Sequence, residues 1–79
     1  MDKELKDRIW EEAQKALAVV ESCENLSQNQ GAYRYINLYY DRWFNAVAIY
    51  GTIEEYREWN NFISLELYGR YWANVQHYK

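Results

Sequence analysis

Apolar residues recur at intervals of three and four along almost the whole chain, which is the period of an amphipathic α-helix. There is no proline and there are only three glycines, so little in the sequence interrupts this pattern. We therefore predict an all-α protein, in which short connections favour a three-helix antiparallel bundle. The predicted helices cover about residues 2–25, 32–50 and 53–77 of a single helical domain, 1–79.

The first two predicted helices differ in the width of their apolar surfaces. Helix one has a single stripe about 100° wide, typical of a helix packed on one side. Helix two has a much wider apolar arc, which suits a central helix that contacts two neighbours. The stripe consists of Leu5, Ile9, Ala13, Ala16, Val20 and Cys23, and the arc of Tyr33, Ile36, Tyr39, Tyr40, Trp43, Ala46, Val47 and Tyr50.

Two segments carry signals for helix ends. The polar segment 26–31 is the longest connection, and Ser27 followed by Gln30 has the spacing of a capping box. Gly51 can end helix two in the left-handed conformation, while Thr52 caps helix three in a second capping box with Glu55. We expect a tight antiparallel hairpin at this second position.

The third predicted helix has two apolar stripes, one more than a small helix needs. It is longer than predicted helix two, so we expect its C-terminal end to overhang, leaving Tyr71, Trp72, Val75 and Tyr78 without a cover from the chain. Gly69 costs a helix interior about 0.8–1 kcal/mol relative to alanine. Two explanations for it are open: the close approach of another backbone, from the same chain or across a dimer, or a kink that folds the tail back over the core. The first stripe is Tyr56, Ile63, Leu67 and Tyr71, and the second is Phe62, Leu65, Tyr68 and Trp72.

The second stripe is the candidate functional site, because tryptophan, tyrosine and arginine dominate the energetics of protein interfaces. We expect a non-enzymatic protein–protein interaction module that self-associates, most simply as a homodimer. Docking of the same face onto a larger protein is the alternative. The predicted partner-binding residues are Phe62, Leu65, Tyr68, Gly69, Arg70 and Trp72.

Charge weighs against a nucleic-acid partner. The chain has 9 basic and 12 acidic residues, a formal net charge of -3 and a pI near 5.0, whereas phosphate binding needs a basic surface. Tyrosines can nevertheless stack on single-stranded bases. A nucleic-acid platform built from Tyr33, Arg34, Tyr35 and Tyr39 is therefore kept as a further alternative.

The numbers of histidine and cysteine residues argue against catalytic and metal sites. His77 is the only histidine and Cys23 the only cysteine, so sites that need several imidazoles or thiolates cannot form in one chain. Cys23 lies in the apolar stripe of helix one, where a buried role is expected. The carboxylates alternate with lysines and arginines as solvated ion pairs do. We expect no enzyme activity, no cofactor and no metal.

The N-terminal sequence has no apolar signal-peptide core, and no stretch approaches the 18 or more apolar residues of a membrane span. We expect a cytoplasmic protein without a membrane partner. In its small size, acidity and aromatic content, the chain resembles in style the inhibitors that phages and mobile elements direct against host defence systems, such as anti-CRISPR proteins. This resemblance implies an inhibitor of a larger host protein as an alternative function, and no motif residues carry over.

Overall fold

The computed structural model describes residues 1–78, which form an elongated molecule of 40 × 17 × 15 Å. These residues form helices and no strand, so the all-α prediction is confirmed. The third predicted helix is continuous through Gly69, but its middle is π-helical. The elements are α1 (Lys3–Glu21), α2 (Leu26–Tyr50), α3 (Ile53–Phe62), a π-helical segment (Ile63–Tyr68) and α4 (Gly69–His77).

The connection between α1 and α2 is shorter than predicted. α1 ends at Glu21 instead of residue 25, and α2 begins at Leu26 instead of residue 32. Asn25 caps α2 by accepting a hydrogen bond from the backbone N–H of Gln28 at 2.9 Å. The predicted capping box of Ser27 and Gln30 is therefore wrong, because Asn25 caps the helix two residues earlier and Ser27 already belongs to it.

The early start makes α2 25 residues long, and the continuous helix from Ile53 to His77 has the same length. The predicted overhang of the C-terminal end is therefore wrong. The first turns of α2 cover that end: Asn29, which is buried, donates from Nδ2 to the carbonyl oxygen of Tyr71 at 3.1 Å. Its Oδ1 accepts from Asn74 at 3.0 Å, and the hydroxyl of Tyr78 donates to the carbonyl oxygen of Cys23 at 2.7 Å.

Of the two predictions for the turn between α2 and α3, the capping box is correct and the left-handed glycine is wrong. The Thr52–Glu55 capping box is confirmed, with Glu55 N–H donating to Thr52 Oγ1 at 3.1 Å and Thr52 N–H donating to Glu55 Oε1 at 2.9 Å. Gly51 is extended, with φ −85° and ψ 155°, and not left-handed. Glycine is needed here for space, because a Cβ would lie 2.6 Å from the carbonyl oxygen of Val47.

The core runs along all three helical stretches. A chain of buried hydrogen bonds crosses it: Trp59 Nε1 donates to the hydroxyl of Tyr39, which donates to the carbonyl oxygen of Ile9, each at 2.8 Å. The buried apolar residues are Ile9, Ala13, Ala16, Val20, Cys23, Ala32, Ile36, Tyr39, Trp43, Val47, Trp59, Ile63 and Leu67. Within residues 1–78, no helix has the length and apolarity that crossing a membrane requires.

Candidate protein-interaction face

Three residues at helical spacing point into solvent along the third helical stretch. The side chains of Leu65 and Trp72 are 73% and 57% exposed, and Gly69 lies between them. The spacing of four and then three residues keeps all three on one side of a helix. We call Leu65, Gly69 and Trp72 the outward face.

The orientation of the outward face follows from the residues that the same helix buries on its opposite side. Trp59, Ile63 and Leu67 are buried in the core at intervals of four residues. In a π-helix the hydrogen bonds reach five residues along the chain, so each turn holds more residues and positions four apart stay nearly in line. The π-helical segment therefore keeps Ile63 and Leu67 in the core while Leu65 between them faces solvent.

Phe62 and Tyr68 border the outward face on opposite sides. The ring of Phe62 packs edge-on against Trp10 of α1, with ring centroids 5.2 Å apart. The ring of Tyr68 packs against Tyr33 of α2 at 5.9 Å, and its hydroxyl donates a hydrogen bond to Asn37 Oδ1. Both rings are half-buried. Burial also raises the pKa of the Tyr68 phenol, with smaller contributions from neighbouring groups.

Arg70 lies on the α1 side of the outward face. Its guanidinium is 3.7 Å from a carboxylate oxygen of Glu21, and both side chains are about half exposed. A surface pair of this kind contributes about 0–1 kcal/mol and does not fix the arginine in place. The structure thus separates the six predicted partner-binding residues into three exposed central residues, two half-buried borders and one half-exposed cation at the edge.

The surface above Gly69 is open. A Cβ at Gly69 would have only the carbonyl oxygen of Ser64 nearby, at 3.5 Å, which is ordinary contact. No other helix of the described chain approaches this glycine, so packing within residues 1–78 does not explain the absence of a side chain.

The two residues considered for catalysis, Cys23 and His77, lie in different surroundings. Cys23 is buried, its Sγ donates to the carbonyl oxygen of Val19 at 3.3 Å, and burial raises the pKa of the thiol, which disfavours a thiolate nucleophile. His77 is exposed in the last turn of α4 and contacts the ring of Tyr78 at 4.9 Å. Among residues 1–78 no group of three or more His, Cys, Asp or Glu side chains could hold a metal ion.

The tyrosines considered for base stacking do not form one platform. Tyr39 is largely buried and lines a pocket together with Tyr35, whereas Tyr33 packs on Tyr71 with ring centroids 4.6 Å apart. Arg34 is exposed. A strand-tracking groove needs its aromatic rings on one surface, whereas Tyr33 packs on Tyr71 and is not part of the pocket that Tyr35 and Tyr39 line.

The sequence analysis overlooked a second exposed apolar surface, on α2. Leu38 and Ile49 are 70% and 71% exposed. Leu38 borders a pocket of about 180 Å³ whose charged groups already contact each other: Arg42 lies 3.6 Å from Glu12. At about 100° per residue both lie on the side of helix two that carries Arg34, Asp41 and Asn45, so two apolar residues among polar ones were the available signal. The pocket is lined by Glu12, Tyr35, Leu38, Tyr39 and Arg42.

No protein-family model matches this chain, and neither the curated proteins nor the solved structures include one that is significantly similar to it.

Proposed function

We propose that this protein is a three-helix antiparallel bundle that acts as a non-enzymatic protein–protein interaction module and self-associates through the outward face. One observation carries the proposal: a leucine and a tryptophan, each more than half exposed, flank a glycine on which nothing in the described chain packs. Tryptophan is enriched among the residues that dominate binding energy, and exposed apolar clusters mark interaction sites.

The free energy gained by burying apolar side chains can be compared with the free-energy cost of forming a dimer. Full burial of a large apolar side chain gives about 1.5–3 kcal/mol. Four such side chains, two from each copy and already partly covered, would contribute on the order of 4 to 8 kcal/mol. Association itself costs an estimated 4–15 kcal/mol. A micromolar dimer requires a net gain of about 8 kcal/mol, so the borders formed by Phe62 and Tyr68 must add about 4 kcal/mol or more for the dimer to form at micromolar concentration.

The deciding experiment is the molar mass in solution, measured by light scattering coupled to size exclusion from low to high micromolar concentration. We expect the wild type to shift from monomer to dimer over this range. Trp72→Asp and Leu65→Asp should remain monomeric, because each places a charge in the centre of the buried surface. A wild type that is strictly monomeric at high micromolar concentration would contradict self-association.

The chain offers a matched control for each variant. Leu38 is as exposed as Leu65, and Tyr50, at 63%, is slightly more exposed than Trp72, but both lie on α2, away from the outward face. Leu38→Asp and Tyr50→Asp should dimerise like the wild type. If they abolish the dimer as fully as the outward-face variants do, apolar exposure in general and not this face drives association.

A second function is favoured by the exposed surface on α2. Leu38 and Ile49 would stay accessible in a dimer built on the outward face, so the chain could dock onto a larger protein as an adaptor, or as an inhibitor of a host defence protein. For a candidate partner tested by titration calorimetry, this function predicts that Leu38→Asp removes binding and Leu65→Asp preserves it. The opposite result would assign that partner to the outward face.

A further inference from the structure

Opposite charges lie one helical turn apart along the edge of the outward face nearest α1. Glu66 and Arg70 are both exposed, and the contact of Arg70 with Glu21 shows that this edge points towards α1. Among the described residues no ion pair or hydrogen bond engages the carboxylate of Glu66. This edge therefore carries one free negative charge and one weakly held positive charge.

The orientation of the second copy's helix, parallel or antiparallel, determines which of its side chains lie against this edge. If two copies pack face to face with their helices antiparallel, a two-fold axis at Gly69 brings the α1 edge of one copy against the α1 edge of the other. At 1.5 Å per residue, Glu66 of one copy then lies about 4 to 5 Å from the two-fold axis, measured along the helix. Arg70 of the second copy lies about 1.5 Å from the two-fold axis in the same direction, so the two side chains can meet. In a parallel pair the same edge meets the Tyr68 edge, where the neighbouring charge is the carboxylate of Asp41, which would repel Glu66.

Side-chain size favours the same direction. Ala73, also exposed, follows Gly69 by four residues, and Leu65 precedes it by four. An antiparallel pair centred on Gly69 sets the large Leu65 opposite the small Ala73 of the second copy. A parallel pair would set Trp72 against Trp72 beside Gly69, which would hold the helices apart where the glycine allows them to approach.

We propose that the occupant of the outward face is a second copy of this chain in antiparallel orientation, selected by two symmetric Glu66–Arg70 ion pairs between the copies. This inference rests on the proposed self-association and adds its geometry. Charge complementarity at an interface fixes partner and register more than it adds affinity.

Charge reversal tests the ion pairs. Glu66→Arg and Arg70→Glu each replace two attractions in the dimer by two repulsions, so each variant alone should dimerise about tenfold more weakly than the wild type. An equimolar mixture of the two variants restores both pairs and should form a heterodimer close to wild-type affinity. Glu54→Arg, an equal charge change at an exposed position on α3, is the control and should leave dimerisation unchanged.

A distance measurement tests the orientation directly. In a Cys23→Ser background, which removes the only native thiol, a spin label on Glu58→Cys reports the distance between equivalent positions of the two copies. Glu58 is 11 residues from Gly69, so an antiparallel pair separates the labels by about 33 Å along the axis at 1.5 Å per residue. A parallel pair would bring the labels within about 10 Å, the usual distance between packed helices.

The outcomes separate the two proposals. A wild-type dimer with a label distance near 30 Å and weakened single variants supports the antiparallel pair. A dimer that has a short label distance, or that ignores both charge reversals, overturns the antiparallel pair while leaving self-association in place. A wild type that never dimerises overturns both.

Discussion

Tyr39 joins all three helical stretches through its hydroxyl group. The hydroxyl accepts a hydrogen bond from Trp59 and donates one to the carbonyl oxygen of Ile9, and it is buried. Burial raises the pKa of this phenol to about 12, so the group remains protonated at neutral pH and can donate and accept at once. A single oxygen atom thereby satisfies a buried indole N–H and links α1 to α2.

Tyr39→Phe should lower the free energy of unfolding by about 1–3 kcal/mol, because the indole N–H of Trp59 loses its acceptor in the core. Urea denaturation followed by circular dichroism measures the change. Tyr50→Phe removes a hydroxyl from a ring that is 63% exposed and is the matched control, expected within about 0.5 kcal/mol of the wild type. Equal effects of the two substitutions would show that the buried hydroxyl does not stabilise the fold.

Glu55 is a second residue on which several groups converge. Its carboxylate accepts the backbone N–H of Thr52, and it lies 3.3 Å from the N-terminal amine and 3.4 Å from the ammonium of Lys6. The hydrogen bond from Thr52 is the largest cause, with the two cations adding to it, of a pKa lowered from 4.5 to about 2.

The lowered pKa gives the Glu55 contribution a defined pH dependence. A carboxyl that is more acidic in the folded state stabilises it above pH 4.5, and this stabilisation is lost as the pH falls from 4.5 to 2. Urea midpoints across this window should therefore fall less steeply for Glu55→Gln than for the wild type. Glu54→Gln, which changes an exposed neighbour, should retain the wild-type slope. A wild-type slope in Glu55→Gln would disprove the role of this carboxylate.

At the scale of the helices, local signals were predictable from the sequence and competing signals were not. The Thr52–Glu55 box was predictable because both partners lie within four residues and no other cap competes. The start of α2 was not, because Asn25 and Ser27 are both good caps, and choosing between them depends on whether Asn29 reaches Tyr71 on a distant helix. Gly51 was assigned correctly as a helix end, but its cause is crowding by Val47 and not a left-handed backbone.

The candidate face was predictable in its centre and not at its borders. Leu65 and Trp72 could be placed on one side of a helix by spacing alone. Periodicity could not show that Phe62 is half-covered by Trp10 and Tyr68 by Tyr33, since these contacts depend on how neighbouring helices align. Leu38 was missed because it lies on the side of α2 that carries Arg34, Asp41 and Arg42, where a polar side chain is expected.

Glycine substitutions separate helix stability from association. Gly31 and Gly69 are both exposed within helices, and a Cβ at either position meets no close contact. Alanine at either position should therefore raise the free energy of unfolding of the monomer by about 1 kcal/mol. If the proposed dimer forms, Gly69→Ala should also weaken it at least several-fold, because the new methyl group would lie where the second copy is proposed to approach, whereas Gly31→Ala should not.

Denaturation at low concentration and sedimentation equilibrium at high concentration measure the two effects separately. If Gly69→Ala and Gly31→Ala dimerise equally well, no backbone approaches Gly69 in the dimer.

At the scale of the whole molecule, the equal lengths of α2 and the helix from Ile53 to His77 give a rod of 40 × 17 × 15 Å with both ends closed by contacts between helices. The N-terminal amine reaches Glu55 at one end, and Tyr78 reaches the α1–α2 turn at the other. The exposed apolar residues Leu65 and Trp72 lie along one side of the rod and Leu38 along another, so they offer lateral contacts. Ile49, Tyr50 and Ile53 are exposed at the end that holds the α2–α3 turn.

The unequal burial of the tryptophans has a spectroscopic consequence. Trp59 and Trp43 are 1% and 7% exposed and Trp10 is half-buried, whereas Trp72 is 57% exposed. Red-shifted, readily quenched emission from the folded chain should therefore come mainly from Trp72. Because that ring lies at the centre of the outward face, the native protein carries an intrinsic optical reporter: acrylamide quenching and the wavelength of maximum emission should follow occupancy of the face without any added label.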